Sequence, residues 1–312
     1  MTASTLSAAH FHDEEAAYAF VESIIWANGR VCPKCGTIDQ SGPLKGKSTR
    51  VGVYKCYACR KPFTVKVGTV FESSHIPLRV WLQAIFLIAS SKKGISSNQL
   101  HRSLGITLKS AWFMSHRIRE AMKDTAGNPF GATGGAVEVD ETFIGRDYNV
   151  KPQGEKRGRG YGHKYKILSL VDRTKGIARS IVVDNLRVRT LYPLLVANVS
   201  QSAWLMTDEA TQYQKLGKMF RAHGYTKHGE GEYVSRDNRF VHSNTVEGFF
   251  SIFKRGMKGI YQHCGHNHLH RYVTEFDFRY NNRKANGIED EQRAEILLRG
   301  VIGKRLTFKP VA

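Results

Sequence analysis

Ala136-Val137-Glu138-Val139-Asp140-Glu141-Thr142-Phe143-Ile144-Gly145 is the stretch on which the fold turns. β-Branched residues alternate along it and Gly135 and Gly145 bound it, the pattern of a strand. Tyr165-Lys166-Ile167-Leu168-Ser169-Leu170-Val171-Asp172 and Ile177-Ala178-Arg179-Ser180-Ile181-Val182-Val183-Asp184 are two more strand-length runs closed by turn residues. Ala203-Trp204-Leu205-Met206-Thr207-Asp208 is a short apolar run that stops at an acid, and a periodic segment from Glu209 to His223 reads as the helix after it. Together these runs predict a mixed sheet.

Two of the runs end in acids that matter for chemistry, Asp140 and Asp208. A third acid, Glu247, lies in Asn244-Thr245-Val246-Glu247-Gly248-Phe249-Phe250-Ser251-Ile252-Phe253-Lys254-Arg255, where apolar residues at 246, 249, 250 and 253 repeat with helical period. Glu247 and Lys254, two turns apart, share one face. A helix laid on the sheet brings Glu247 to the two aspartates with a cation beside it. Such a trio suits two Mg2+ or Mn2+ ions, which take hard oxygen ligands and, about 4 Å apart, clamp both oxygens of an in-line phosphoryl displacement. Each acid also has a purely structural reading: Asp208 as an N-cap, Glu247 as the third residue of a capping box headed by Asn244, Asp140 as a strand end. Asp172 and Asp184 end strands too and compete for the same role.

Val137-Glu138-Val139-Asp140-Glu141-Thr142, Met206-Thr207-Asp208 and the run from His242 to Gly256 resemble the catalytic blocks of bacterial insertion-sequence transposases of the DDE superfamily, in the ISXO-like branch with an N-terminal zinc ribbon. Arg271-Tyr272-Val273-Thr274-Glu275-Phe276-Asp277-Phe278-Arg279-Tyr280-Asn281-Asn282-Arg283 resembles that branch's C-terminal block, so the likeness runs from about residue 15 to 300. It implies an RNase H-like catalytic domain with Asp140 and Asp208 as the paired aspartates. The branch's third position is Asn or Glu, and this sequence has both Asn244 and Glu247; Glu247 is preferred because only a carboxylate brings charge to a metal.

Charge points the same way. The 312 residues carry 47 Lys and Arg against 27 Asp and Glu, a net charge of +20. A surplus of that size favours a polyanion partner through counterion release and steering. No apolar run approaches the roughly 18 residues that a membrane span requires. Met1 to Glu15 lacks the pattern of a signal peptide, so a cytoplasmic protein is expected, nucleoid-associated if the resemblance holds.

Four of five cysteines fall as Cys32-Pro33-Lys34-Cys35 and Cys56-Tyr57-Ala58-Cys59, the pairs separated by 20 residues. That spacing predicts a closed tetrahedral Zn2+ site in a small ribbon. Cys264, beside His263, His266, His268 and His270, offers a second metal site, with surface or DNA-facing histidines as the plainer reading. Leu78 to Ile88 reads as a buried helix; residues 96–104, a Gly105 turn and residues 108–122 read as a helix-turn-helix, with Lys109, Ser110, His116 and Arg117 as groove candidates. Lys156, Arg157 and Arg159, in a Gly-rich stretch, are candidates for phosphate contact.

The expectation is an α+β protein in three parts: a zinc ribbon with a short N-terminal helix (15–75), a helix-turn-helix region (76–127) and an RNase H-like domain (134–300). Expected partners are DNA, as terminal inverted repeats and target, and further copies of the chain. Two rivals are a zinc-ribbon regulator that only binds DNA and a metal nuclease that cuts without joining.

Overall fold

The computed structural model describes residues 4–124, 127–147 and 162–307. The chain divides into two compact units, Met1–Lys123 with Arg283–Ala312, and Asp124–Asn282.

The first unit opens with α1 (Glu14–Ile25), where Asp13 accepts from Ala16 N at 2.7 Å and Glu14 and Glu15 sit in the first turn, against the positive helix end. Three short antiparallel strands follow, β1 (Ser41–Pro43), β2 (Tyr54–Cys56) and β3 (Pro62–Phe63). Next come α2 (Leu78–Ser90), α3 (Ser97–Leu104) and α4 (Leu108–Ala121). Pro77 precedes α2 and offers no side-chain cap, so Glu14 of α1 reaches over and accepts from Leu78 N at 2.7 Å and Arg79 N at 3.1 Å. Ser96 and Thr107 cap α3 and α4, and between them Gly105 takes φ 64°, the left-handed conformation that ends a helix. Two helices joined by a glycine turn thus form where the sequence placed them.

The second unit is built on β4 (Ala136–Ile144), β5 (Tyr165–Asp172) and β6 (Ile177–Val183), then α5 (Val188–Asn198), β7 (Trp204–Asp208), α6 (Thr211–Leu216), β8 (Ala222–Thr226), α7 (Asn244–Gly256) and α8 (His266–Asn281). Strand order is β6-β5-β4-β7-β8, antiparallel from β6 to β4 and parallel from β4 to β8, so the sheet is mixed as predicted. Alternate residues of each strand feed opposite faces. Val137, Val139, Leu168 and Leu170 pack with Leu191 and Leu195 of α5 and Tyr213 of α6. Ile167, Val171 and Ala178 pack with Phe249, Phe250 and Phe253 of α7 and Tyr272 and Phe276 of α8.

Two expectations from the sequence are corrected. The period of residues 209–223 predicts one helix, but α6 ends at Leu216 and the chain enters β8, the parallel neighbour of β7. Strand pairing overrides the helical period at this point. Gly224 permits the crowding, since a Cβ there would lie 2.8 Å from Val241. The expected catalytic part extends to residue 300, but α9 (Asp290–Arg299) belongs to the first unit, where it packs on α2 and its buried Arg293 donates to Ala89 O at 3.1 Å. Among the described residues no helix is long and apolar enough to cross a membrane.

Candidate active site

In the parallel pairing of β4 with β7, Ala136 faces Trp204, Val137 faces Leu205 and Glu138 faces Met206. Two residues further along both strands, the same register sets Asp140 level with Asp208. Both belong to the set that faces α7 and α8, as Glu138 does. The competing aspartates fall elsewhere. Asp172 is buried at a turn, its oxygens accepting from Gly131 N and Lys175 N at 3.0 Å each, and Asp184 is exposed at the end of β6, separated from β4 by β5.

α7 brings the third acid. Its buried face is Val246, Phe249, Phe250 and Phe253, the period read in the sequence. Ser243 precedes the helix without a side-chain cap, and Asn244, exposed, is the first helical residue, so a capping box headed by Asn244 does not form. The cap comes from the sheet: Glu138 Oε2 accepts from Val246 N at 2.8 Å. A buried carboxylate at a helix N-terminus satisfies an orphan amide and the positive end of the helix dipole at once. Glu138 is neutralised by Arg173, whose Nε donates to Oε1 and whose Nη1 donates to Phe240 O at 2.6 Å. His242 stands 3.3 Å from Glu138, its pKa pushed down by burial and by the Arg173 guanidinium. No local sequence pattern singles out Glu138, Arg173 or His242.

Each of the three acids has its own protein donor. Asp140 accepts from Glu141 N at 2.7 Å, and Asp208 from Ala210 N at 3.0 Å. Glu247 Oε1 accepts from Ser243 Oγ at 3.2 Å and lies 3.4 Å from His228 Nε2. Burial raises the Asp140 carboxyl well above the usual range, and the charges of Glu141, Asp208 and Glu247 push it further. Glu141, on the opposite face of β4, accepts from Tyr213 Oη at 2.5 Å; burial takes it up to about 7. Lys254 is exposed two turns beyond Glu247. The donor set is all hard oxygen with negative charge crowded onto Asp140, and a divalent cation relieves that crowding. The acids do not crowd to ligating distance: among the described residues, the cysteine quartet forms the one set of three or more ligand atoms all within 4.8 Å of one another.

That quartet is Cys32, Cys35, Cys56 and Cys59, with Cys32 to Cys59 at 3.7 Å and Cys35 to Cys56 at 3.6 Å between sulfurs. Each pair sits on a tight knuckle. The residue after its second cysteine takes a positive φ, Gly36 at 76° and Arg60 at 61°, which bends the chain so that both sulfurs face one point. This is the geometry of a structural zinc site. The histidine run around Cys264 forms no comparable cluster among the described residues; His266 stacks on Tyr165 at 5.1 Å and His268 Nδ1 accepts from Arg271 at 2.8 Å.

The groove candidates divide. Lys109 is exposed and Ser110 half-buried in the first turn of α4. His116 and Arg117 are buried, at 1% and 5% exposure; Arg117 donates to Glu72 O at 2.5 Å and Leu306 O at 3.1 Å and so ties the unit together, and His116 packs edge-on against Trp112. Lys156, Arg157 and Arg159 lie outside the described residues.

Comparison with known sequences agrees with this layout. Residues 132–281 match the ISXO2-like transposase domain and residues 12–62 the transposase zinc-ribbon domain. A protein of Halobacterium salinarum, described as an uncharacterized protein in transposable element ISH50, is 30% identical over 258 residues, covering 78% of this chain and 83% of its own. With both domain matches in chain order and a relative aligned over most of its length, the chain belongs to the ISXO2-like transposase family that carries an N-terminal zinc ribbon.

Proposed function

We propose that the chain cuts DNA at the ends of a mobile element and joins the freed 3′ ends to target DNA, with Asp140, Asp208 and Glu247 as the ligands of two Mg2+ or Mn2+ ions. What supports this reading is the parallel register of β4 and β7, which, continued two residues past Glu138 and Met206, brings Asp140 level with Asp208, whose charge acts on it. Ions bound there supply Lewis-acid polarisation of the scissile phosphate and a more acidic attacking hydroxyl.

The protein's own residues have distinct tasks. Glu138 holds the start of α7 against β4 and so keeps Glu247 on the same side as the aspartates. Lys254 offers a cation to a phosphate oxygen. Asn244 is a bystander. In cleavage a water oxygen bonds to phosphorus as the P–O3′ bond breaks. In joining, that 3′ oxygen bonds to a target phosphorus and the target's 3′ oxygen leaves with the proton, so no further reactant is consumed. The zinc ribbon and the α3–α4 pair recognise terminal inverted repeats, Lys109 and Ser110 among the contacts. Paired ends are held by an oligomer, in the cytoplasm at the nucleoid.

The test is cleavage of labelled element ends. Asp140→Asn and Asp208→Asn should each abolish cutting while end binding persists, because the amide keeps the shape and removes the charge. Glu247→Gln should cost as much, and Asn244→Ala should stay active. An active Glu247→Gln beside a dead Asn244→Ala reverses the third assignment. Incubating cut ends with a target plasmid separates joining from plain hydrolysis, since hydrolysis alone leaves no joined product.

A further inference from the structure

Glu141, whose charge acts on Asp140, lines a cavity of about 610 Å³, within the range of small-ligand sites. Phe143 of β4 and Tyr165 of β5 line it as well, Tyr165 on the face of the sheet that α7 and α8 cover. α7 and the turn after it contribute Lys254, Met257 and Lys258. Past Gly256 the helix widens into a π turn, Met257–Tyr261, closed by Gln262 N donating to Met257 O at 2.8 Å. Such turns inside helices concentrate at functional sites. Gln262 then adopts φ 57°, ψ −57°, a conformation strained for a residue with a side chain, and it too lines the cavity. The His266 ring stacked on Tyr165 braces the aromatic wall.

The lining is chemically mixed in an informative way. Aromatic rings and a thioether suit a flat π-face, the Gln262 amide both donates and accepts, and Lys164, Lys254 and Lys258 set three cations around the cavity. A phosphate alone needs the lysines but not the aromatic wall. A paired base stays within its duplex and does not reach a side cavity. We propose that this cavity holds one unpaired nucleotide of the DNA strand next to the scissile phosphate, its base against Tyr165, its edge on Gln262, and its flanking phosphates on the lysines. The proposal rests on the transposase reading and adds to it the state of the substrate. A second cavity of about 390 Å³, in the first unit and lined by Phe11, Phe20 and Phe86 among others, has no Lys or Arg in its lining and does not fit this ligand.

Element-end duplexes carrying a single abasic residue opposite each nucleotide around the cut free those nucleotides from pairing one at a time. Binding of the full chain to each, without added Mg2+, is read by fluorescence anisotropy. One position next to the cut should tighten about tenfold, the factor that roughly 1.4 kcal/mol of stacking produces, and the rest should not. Tyr165→Ala should remove most of that gain while binding to the intact duplex stays near wild type. Gln262→Gly, which relieves the positive φ and so preserves the fold, should reduce it. A flat profile from a chain that binds and cuts element ends overturns the cavity proposal and leaves the transposase reading standing. A position-specific gain that neither variant diminishes places the unpaired nucleotide elsewhere and also overturns it. A wild-type chain that neither binds nor cuts removes both readings together.

Discussion

Glu138 is fully buried, and its carboxylate serves Val246 N and Arg173 at once. Glu138→Gln keeps an acceptor for the amide but leaves the Arg173 guanidinium without its counter-charge, and breaking a buried pair costs on the order of 3 kcal/mol. The expected result is an unfolding free energy in urea lowered by that amount, and with it the midpoint, with cleavage reduced further where the protein is still folded, because α7 loses its anchor. An unchanged midpoint with unchanged cleavage would mean that Glu138 does not anchor α7. Asp277 offers a second check on the electrostatics. Burial drives its carboxyl up to about 7 although Ser180 N and Oγ both donate to it at 2.7 Å. A folded pKa above the ordinary 3.8 means that its stabilising contribution is full below that value and is lost as the pH rises through about 7. The slope is at most about 1.4 kcal/mol per pH unit. Asp277→Asn should therefore flatten the fall in melting temperature across that window, with Glu141, also raised to about 7, supplying what remains. Asp140, Asp208 and Glu247 could be proposed from the sequence because each ends an apolar run or sits on a periodic helix. Glu138 could not, since its partner amide lies 108 residues away and no local pattern announces such a cap.

At the scale of elements, local signals worked where capping decided the ends. Ser96, Gly105 and Thr107 set the limits of α3 and α4, and both were readable. What the sequence did not tell is which face of α4 is covered. His116 and Arg117 look like groove residues by charge alone, yet Arg117 bonds to carbonyls of residues 72 and 306, contacts set by tertiary packing. The two classes separate experimentally. Arg117→Ala should lower the melting temperature, since it removes the charged donor of two half-buried carbonyls, on the order of 1 kcal/mol. Lys109→Ala should leave the melt unchanged and weaken DNA binding. Equal DNA defects in the two variants, with equal melts, would return Arg117 to the groove. β8 shows the same limit in another form. Its residues follow a helical segment and carry no strand signal of their own, and pairing with β7 makes them a strand.

For the whole molecule, the net charge of +20 was the clearest sign of its partner class, because counterion release depends on charge rather than on fold. A protein that neutralises about 6 to 10 phosphates loses roughly 10³ to 10⁵ in affinity between 50 and 200 mM salt, a log–log slope near −0.9 per phosphate. Lys156, Arg157 and Arg159 are three of the cations assigned to that term. Changed together to Ala, they should flatten the slope by up to about 2.7, three times the value for one phosphate. Sequence preference between element ends and random duplex should stay as it was, since contacts to the backbone carry no base information. The acids should report independently: Asp140→Asn should abolish cutting without touching the slope. A triple variant whose slope matches wild type would take those three residues out of the interface and leave the exposed cations of the described residues, Lys109 and Lys258 among them, to account for the charge.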